Sequence, residues 1–258
     1  MAKAIQNERT PRAIMRFTTL LALWGVGFLG NCATFSRGLY FDRSFECKTT
    51  YFFNKEDKFA NYKKVWNQVR AAYLLENQAL KRADSVIVGD SLVHLFHPHL
   101  MVKELPGKKL VNRGIGGDTT ELLLERLDTD VLLLNPRQVF IEIGGNDLIQ
   151  EICLSKLEAN VRAIISKIQT TSPRTQIIWI NIPPVKRFNT NTIVPVYNQF
   201  LERIAKTTPN FTLIDLYSEM RMKDTPQIEE AYTIPMDDVH FNENGYAVLG
   251  KLLRPYLN

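Results

Sequence analysis

Five short apolar runs, rich in β-branched residues, recur between residues 85 and 216. They are Ser85-Val86-Ile87-Val88, Lys109-Leu110-Val111-Asn112, Gln138-Val139-Phe140-Ile141-Glu142-Ile143, Gln176-Ile177-Ile178-Trp179-Ile180 and Phe211-Thr212-Leu213-Ile214-Asp215-Leu216. Segments with helical character lie between them, at about 118–134, 155–171 and 191–207, and a last one at 243–254 follows the fifth run. Strands that are apolar throughout, rather than at alternate positions, are buried on both faces, which is the signature of a parallel sheet covered by helices. Right-handed crossovers then predict an α/β fold of three layers, α/β/α, around a doubly wound five-stranded parallel sheet. In such sheets functional sites form beyond the carboxyl ends of the strands. Here those ends carry Gly89-Asp90-Ser91, Gly114-Ile115-Gly116-Gly117 and Gly144-Gly145-Asn146-Asp147, while the strand starts carry no comparable cluster.

The rest of the chain is organised around that unit. Residues 57–82 lack Gly and Pro and place Phe59, Tyr62, Val65, Val69, Ala72, Leu75 and Leu80 at helical intervals, predicting a long amphipathic helix whose aromatic residues serve a core. Residues 32–56 form a tether or packed arm, and 57–258 the main domain. At the N-terminus, a basic stretch from Lys3 to Arg16 precedes the apolar run FTTLLALWGVGFL at 17–29. A cationic start and a short apolar run predict an export signal over residues 1–31. The run is short for a spanning helix, and a signal anchor is the alternative. Leu29-Gly30-Asn31-Cys32 resembles a bacterial lipobox, with Asn31 where a smaller residue is usual, which makes Cys32 a candidate lipidation site and the N-terminus a candidate membrane attachment. The expected location is the cell envelope, with secretion as the alternative. Cys47 and Cys153 remain to pair or stay free.

Composition excludes several classes. Of 258 residues, 45% are hydrophobic and 23% charged, which supports a packed core rather than disorder. The net charge is +5, but Lys3, Arg9, Arg12 and Arg16 against Glu8 place +3 of it in the leader, and the nearly neutral remainder gives no nucleic-acid footprint. No heptad defines an oligomeric state.

Ser91 opens the segment after the first strand. A serine there is usually an N-cap, but it is also well placed as a nucleophile at a helix N-terminus. A nucleophilic serine needs a base. Of four histidines, His94, His97 and His99 crowd the segment after Ser91. His97 and His99 have no Cys or acidic residue at metal-ligand spacing, so no metal is expected. His94 lacks a carboxylate to orient it. His240 lies in Asp237-Asp238-Val239-His240, where an aspartate three residues earlier can curl back onto Nδ1 and leave Nε2 to accept a serine proton. Gly116-Gly117 can offer a backbone N–H and Asn146 a side-chain amide to an oxyanion, although each is also an ordinary turn former. Thr119 stands where the third glycine of a dinucleotide fingerprint would fall, so that motif is incomplete.

In this order and at these strand ends, Gly89-Asp90-Ser91-Leu92, Gly114-Ile115-Gly116-Gly117-Asp118-Thr119-Thr120, Gly144-Gly145-Asn146-Asp147 and Asp237-Asp238-Val239-His240 resemble the SGNH, or GDSL, family of serine esterases and lipases. The second block is similar to that of platelet-activating-factor acetylhydrolase catalytic subunits and related bacterial acylhydrolases. The resemblance spans about 84–258. It implies a flavodoxin-like SGNH hydrolase fold and hydrolysis of carboxylic esters without a cofactor. It implies Ser91 as nucleophile, His240 as base and acid, Asp237 orienting His240, and the Ser91 N–H, the Gly117 N–H and the Asn146 side chain as oxyanion donors. Asp90 and Asp147 are expected to brace their loops. Asp238 stands where the family often has Gly and is a rival carboxylate to Asp237. The implied substrates are short-acyl or acetyl esters of carbohydrates or lipids. Two other readings fit the same fold: acyl transfer to a sugar hydroxyl, and non-catalytic carbohydrate or lipid binding.

Overall fold

The computed structural model describes residues 47–51 and 60–257. Its centre is a five-stranded sheet of β1 (Ser85–Gly89), β2 (Val111–Asn112), β3 (Gln138–Glu142), β4 (Gln176–Ile180) and β5 (Phe211–Ile214). The spatial order is β2-β1-β3-β4-β5, and every pairing is parallel. The doubly wound sheet expected from the five apolar runs is therefore present. Its switch point lies where β1 is flanked by β2 and β3, so the first three Gly-rich strand ends converge.

The helices are α1 (Ala60–Leu80), α2 (Ser91–His94), α3 (Pro98–Glu104), α4 (Thr120–Asp130), α5 (Gly145–Ile149), α6 (Leu154–Thr171), α7 (Phe188–Thr207), α8 (Leu216–Met220) and α9 (Glu243–Leu253). Alternate strand residues divide the core between two faces, as a pleated strand requires. Val86, Val88, Val139, Ile141, Ile177 and Trp179 pack with α4, α6 and α7. Ile87, Phe140, Ile178, Ile180 and Ile214 pack with α2, α3, α8 and α9. In α6, Leu157, Val161, Ile164, Ile165 and Ile168 form one buried stripe at helical spacing.

Several boundaries differ from the sequence reading for local reasons. The fifth strand stops at Ile214 because Asp215 caps α8, accepting the Ser218 N–H at 3.0 Å. The segment after β1 is two short helices, since Pro98 starts a new one at its first turn. Helix α7 begins at Phe188 and carries Pro195 within it. The buried stripe of α1 is also rotated from the expected one. Trp66 and Asn77 are buried, while Val65, Leu75 and Leu80 are exposed. Polar anchors decide the rotation: Trp66 Nε1 donates to Asp118 at 2.9 Å, and the Asn77 amide donates to the Thr129 and Asp130 carbonyls. Phe96, Leu148 and Val185 are buried in the core, and Leu95 packs against it.

No helix among the described residues is long and apolar enough to cross a membrane. The leader, Cys32, Phe59 and most of the 32–56 segment lie outside the described residues. Cys47 and Cys153 are both disulfide-bonded. Within the arm, Tyr51 is fully buried and donates to Asp147 at 2.6 Å.

Candidate active site

Asp90, not Ser91, is the N-cap of α2, its Oδ1 accepting the Leu92 N–H at 3.0 Å. Ser91 is therefore the first residue inside the helix, and its hydroxyl is left for another partner. That partner is His240, whose Nε2 lies 2.9 Å from Ser91 Oγ. The opposite ring nitrogen, Nδ1, lies 2.8 Å from Asp237 Oδ2. Residues 149 positions apart in the chain thus share one hydrogen-bonded row. With Nδ1–H donating to Asp237, Nε2 is left to accept the Ser91 hydroxyl proton.

The Asp237 loop explains the orientation. Asp237 Oδ1 accepts the backbone N–H of Val239 at 2.8 Å and of His240 at 2.9 Å, which curls the loop back on itself. Burial works against ionisation of this carboxyl. Hydrogen bonds from the His240 and Val239 backbone and from the His240 ring outweigh it and bring the group down to about 2. Asp237 accordingly holds its charge across the range in which an imidazole titrates. Asp238, the rival carboxylate, is turned outward and lies 3.8 Å from Arg187.

The second strand end is held from several sides. The Gly116 N–H donates to His94 Nδ1 at 3.0 Å, Tyr62 donates to the Gly116 carbonyl at 2.9 Å, and Tyr73 donates to the Gly114 carbonyl at 2.6 Å. His94, near Ser91 as its spacing predicts, thus acts on the glycine loop rather than on the hydroxyl. Burial lowers its proton affinity, with His97 and Arg126 acting in the same sense, in keeping with a neutral ring that accepts at Nδ1. Gly117 has φ +78°, and a Cβ there would meet Tyr62 Cε2 at 2.7 Å. Gly117→Ala is expected to destabilise the protein by about 1–2 kcal/mol through its left-handed backbone alone, measurable by urea denaturation. The buried Arg126 beneath this loop pairs with Asp118 at 2.7 Å and Asp130 at 3.2 Å.

At the third strand end, the Asn146 amide donates to Asp90 Oδ2 at 3.2 Å and to the Asp118 carbonyl at 3.0 Å. It is therefore anchored between the first and second strand ends. Asp147 is fully buried and accepts from the Thr120 hydroxyl and backbone and from Tyr51, bracing its loop as expected. His97 and His99 stack with ring centroids 5.9 Å apart. No group of three or more metal-ligating side chains occurs among the described residues.

Nothing in the sequence pattern revealed that Tyr62, Tyr73 and His94 hold the glycine loop. The spacing of Tyr62, Trp66, Val69, Tyr73 and Asn77 marks a helical stripe, but nothing local names the loop carbonyls that its hydroxyls reach.

Residues 84–248 match the GDSL-like lipase/acylhydrolase family, which is more than half of the chain. The chain belongs to that family. It is 32% identical over 106 residues to the human platelet-activating factor acetylhydrolase IB subunit alpha2, covering 40% of this chain and 45% of that one. The chain thus spans less than half the length of the curated relatives it matches. A solved Streptococcus pneumonia structure, described as a candidate platelet activating factor, is similar with a TM-score of 0.67 and 25% identity, over 76% of this chain and 96% of that one. An acetylxylan esterase from Geobacillus stearothermophilus shares the fold, with a TM-score of 0.53 and 21% identity, over 68% of this chain and 94% of its own.

Proposed function

We propose that the protein hydrolyses short-acyl esters, acetyl esters above all, through an acyl-enzyme on Ser91. The observation that carries this reading is the continuous row Ser91–His240–Asp237, at 2.9 and 2.8 Å. His240 takes the Ser91 proton as Oγ attacks the ester carbonyl, and Asp237 stabilises the imidazolium that forms. The tetrahedral oxyanion is met by the Ser91 and Gly117 N–H groups and by the Asn146 amide. His240 then passes its proton to the leaving alcohol and activates the water that deacylates the enzyme. These steps use side chains and backbone of this chain throughout and call for no cofactor. Asn146→Ala is expected to lower kcat by about 10²–10³-fold with a smaller change in KM, as steady-state kinetics on a short ester would measure.

Two relatives support the acetyl preference. One is named for acetyl removal from platelet-activating factor and the other for acetylxylan. The alcohol portion is accordingly a carbohydrate or a lipid. The leader motif at 1–31 and Cys32 support export and attachment at a cell envelope, with residues 57–258 as the hydrolase unit. The test is a series of esters of increasing acyl length, with acetylated sugars and lysophospholipids, assayed on protein lacking residues 1–31. Turnover that is greatest for acetyl and falls with chain length supports the reading. Preference for long acyl chains opposes it.

A further inference from the structure

Glu142 ends β3 and pairs in register with Gly89, next to Asp90. The approach of the two strands is close: a Cβ on Gly89 would lie 2.0 Å from the Glu142 carbonyl oxygen. The Glu142 side chain is only 2% exposed, and among the described residues no N–H or O–H donates to either of its carboxyl oxygens. The group facing it is the Asp90 carboxyl, itself 3% exposed. Two ionised carboxylates in that position have no donor between them and repel, so one must carry a proton. A proton on Glu142 makes it the donor to Asp90.

Asp90 is the hub of the site. It caps α2 through Leu92, and its Oδ2 accepts from the Asn146 amide. An Asp90 carboxylate with no other compensation would hold the Asn146 N–H strongly, because a charged acceptor makes the stronger bond. We propose that Glu142 is a positioning residue: its carboxylic acid proton, donated to Asp90, lets Asp90 share the Asn146 N–H with the reacting oxyanion. This inference rests on the acyl-enzyme reading above and adds to it a group that touches no substrate.

Charge balance around the pair agrees. Burial pushes both carboxyls upward, and Glu142 rises further because Asp90 faces it. Asp90 is pushed up to about 7 by burial, with the Leu92 N–H, the bond to Glu142 and His240 pulling it back and Asp118 adding to the rise, while Glu142 is pushed well above the ordinary carboxylate range, so the proton of the pair is held on Glu142. The other groups facing the pair are Asp118, Tyr62, Tyr197 of α7 and Tyr246 of α9. Burial keeps the three tyrosines neutral. Arg126 reaches the Gly89 carbonyl at 3.3 Å, but its charge is committed to Asp118 and Asp130. Alkaline pH therefore strips the proton from Glu142 with no cation to replace it, and Asp90 reclaims Asn146. Folding stability follows the same sign. A carboxyl whose proton affinity is raised in the folded state contributes stability that is lost as pH rises above its unfolded value.

The test is kcat and KM for phenyl acetate against pH, followed in a pH-stat, for wild type, Glu142→Leu, Glu142→Gln and Asn146→Ala, with the double variant E142L/N146A. Glu142→Leu is expected to lower kcat by on the order of 10²-fold, with KM within about threefold and with a higher denaturation midpoint at alkaline pH. Glu142→Gln, whose amide donates at every pH, is expected to recover kcat to within about tenfold of wild type and to lose the alkaline decline. In the Asn146→Ala background, Glu142→Leu is expected to cost under about threefold more, because residues acting as a unit are non-additive. A wild-type kcat in Glu142→Leu, an unchanged alkaline decline in Glu142→Gln, or additive losses in the double variant would each overturn the proposal. Should Glu142→Leu fail to fold, the Glu142→Gln pH profile decides alone. Fluorophosphonate labelling of wild-type Ser91 is run alongside: its absence would indict the acyl-enzyme reading, whereas labelling with an unchanged Gln profile would indict only the role of Glu142.

Discussion

Ser91→Ala is expected to lower kcat on short esters by about 10⁶-fold, with little effect on folding. The size follows from what the serine does. In the proposed acyl-enzyme route its oxygen carries the acyl group covalently, and no neighbouring side chain is placed to substitute. Of the nearby histidines, His240 is bound to Ser91 and Asp237, and His94 Nδ1 is occupied by the Gly116 N–H. Folding should survive because Asp90, rather than Ser91, caps α2. Thermal unfolding of the variant within a few degrees of wild type, with activity at the background of uncatalysed hydrolysis, is the expected pair of results. Removing the cap instead, by Asp90→Ala, would disturb both.

Asp237→Asn is the second large effect, an expected fall of about 10⁴-fold in kcat. The amide has nearly the same shape, so the loop should keep the bonds from Val239 and His240 to its remaining carbonyl oxygen. What changes is the bond to His240 Nδ1. An amide N–H facing the ring favours the tautomer whose Nδ1 accepts, and Nε2 then carries the proton and cannot receive one from Ser91. The charge that stabilises the imidazolium is also gone. Asp238 cannot take over, because it points outward beside Arg187. Single-turnover acylation kinetics would check this, since the loss should appear in acylation before any effect on deacylation is visible.

Much of this architecture was legible in the residues themselves. Continuous apolar runs at β1, β3 and β4 can only be strands covered on both sides, and the Gly- and Asn-rich ends located the site before its geometry was known. Asp237-Asp238-Val239-His240 was legible as a curled loop because the backbone N–H groups of residues 239 and 240 are within local reach of Asp237. What could not be read locally was competition among polar groups distant in sequence. Ser91 and Asp90 are both good caps, and only the tertiary placement of His240 and Asn146 settles which one caps α2. The face of α1 was misplaced for a similar reason. Apolar counting placed Val65 and Leu75 on the buried face with Tyr62 and Val69, whereas hydrogen bonds from Trp66 to Asp118 and from Asn77 to residues 129 and 130 keep Tyr62 and Val69 inward and leave Val65 and Leu75 exposed. Glu142 was hidden because a single acidic residue in an apolar strand has no pattern. Its meaning comes from lying across from Asp90.

Whether Ser91 becomes covalently acylated with His240 as its base is read by reacting the protein with a fluorophosphonate and locating the adduct by peptide mass spectrometry. A stoichiometric adduct on Ser91, absent in Ser91→Ala and greatly slowed in His240→Ala, is the predicted result. An adduct on another residue, or labelling of Ser91 at the same rate without His240, would contradict it.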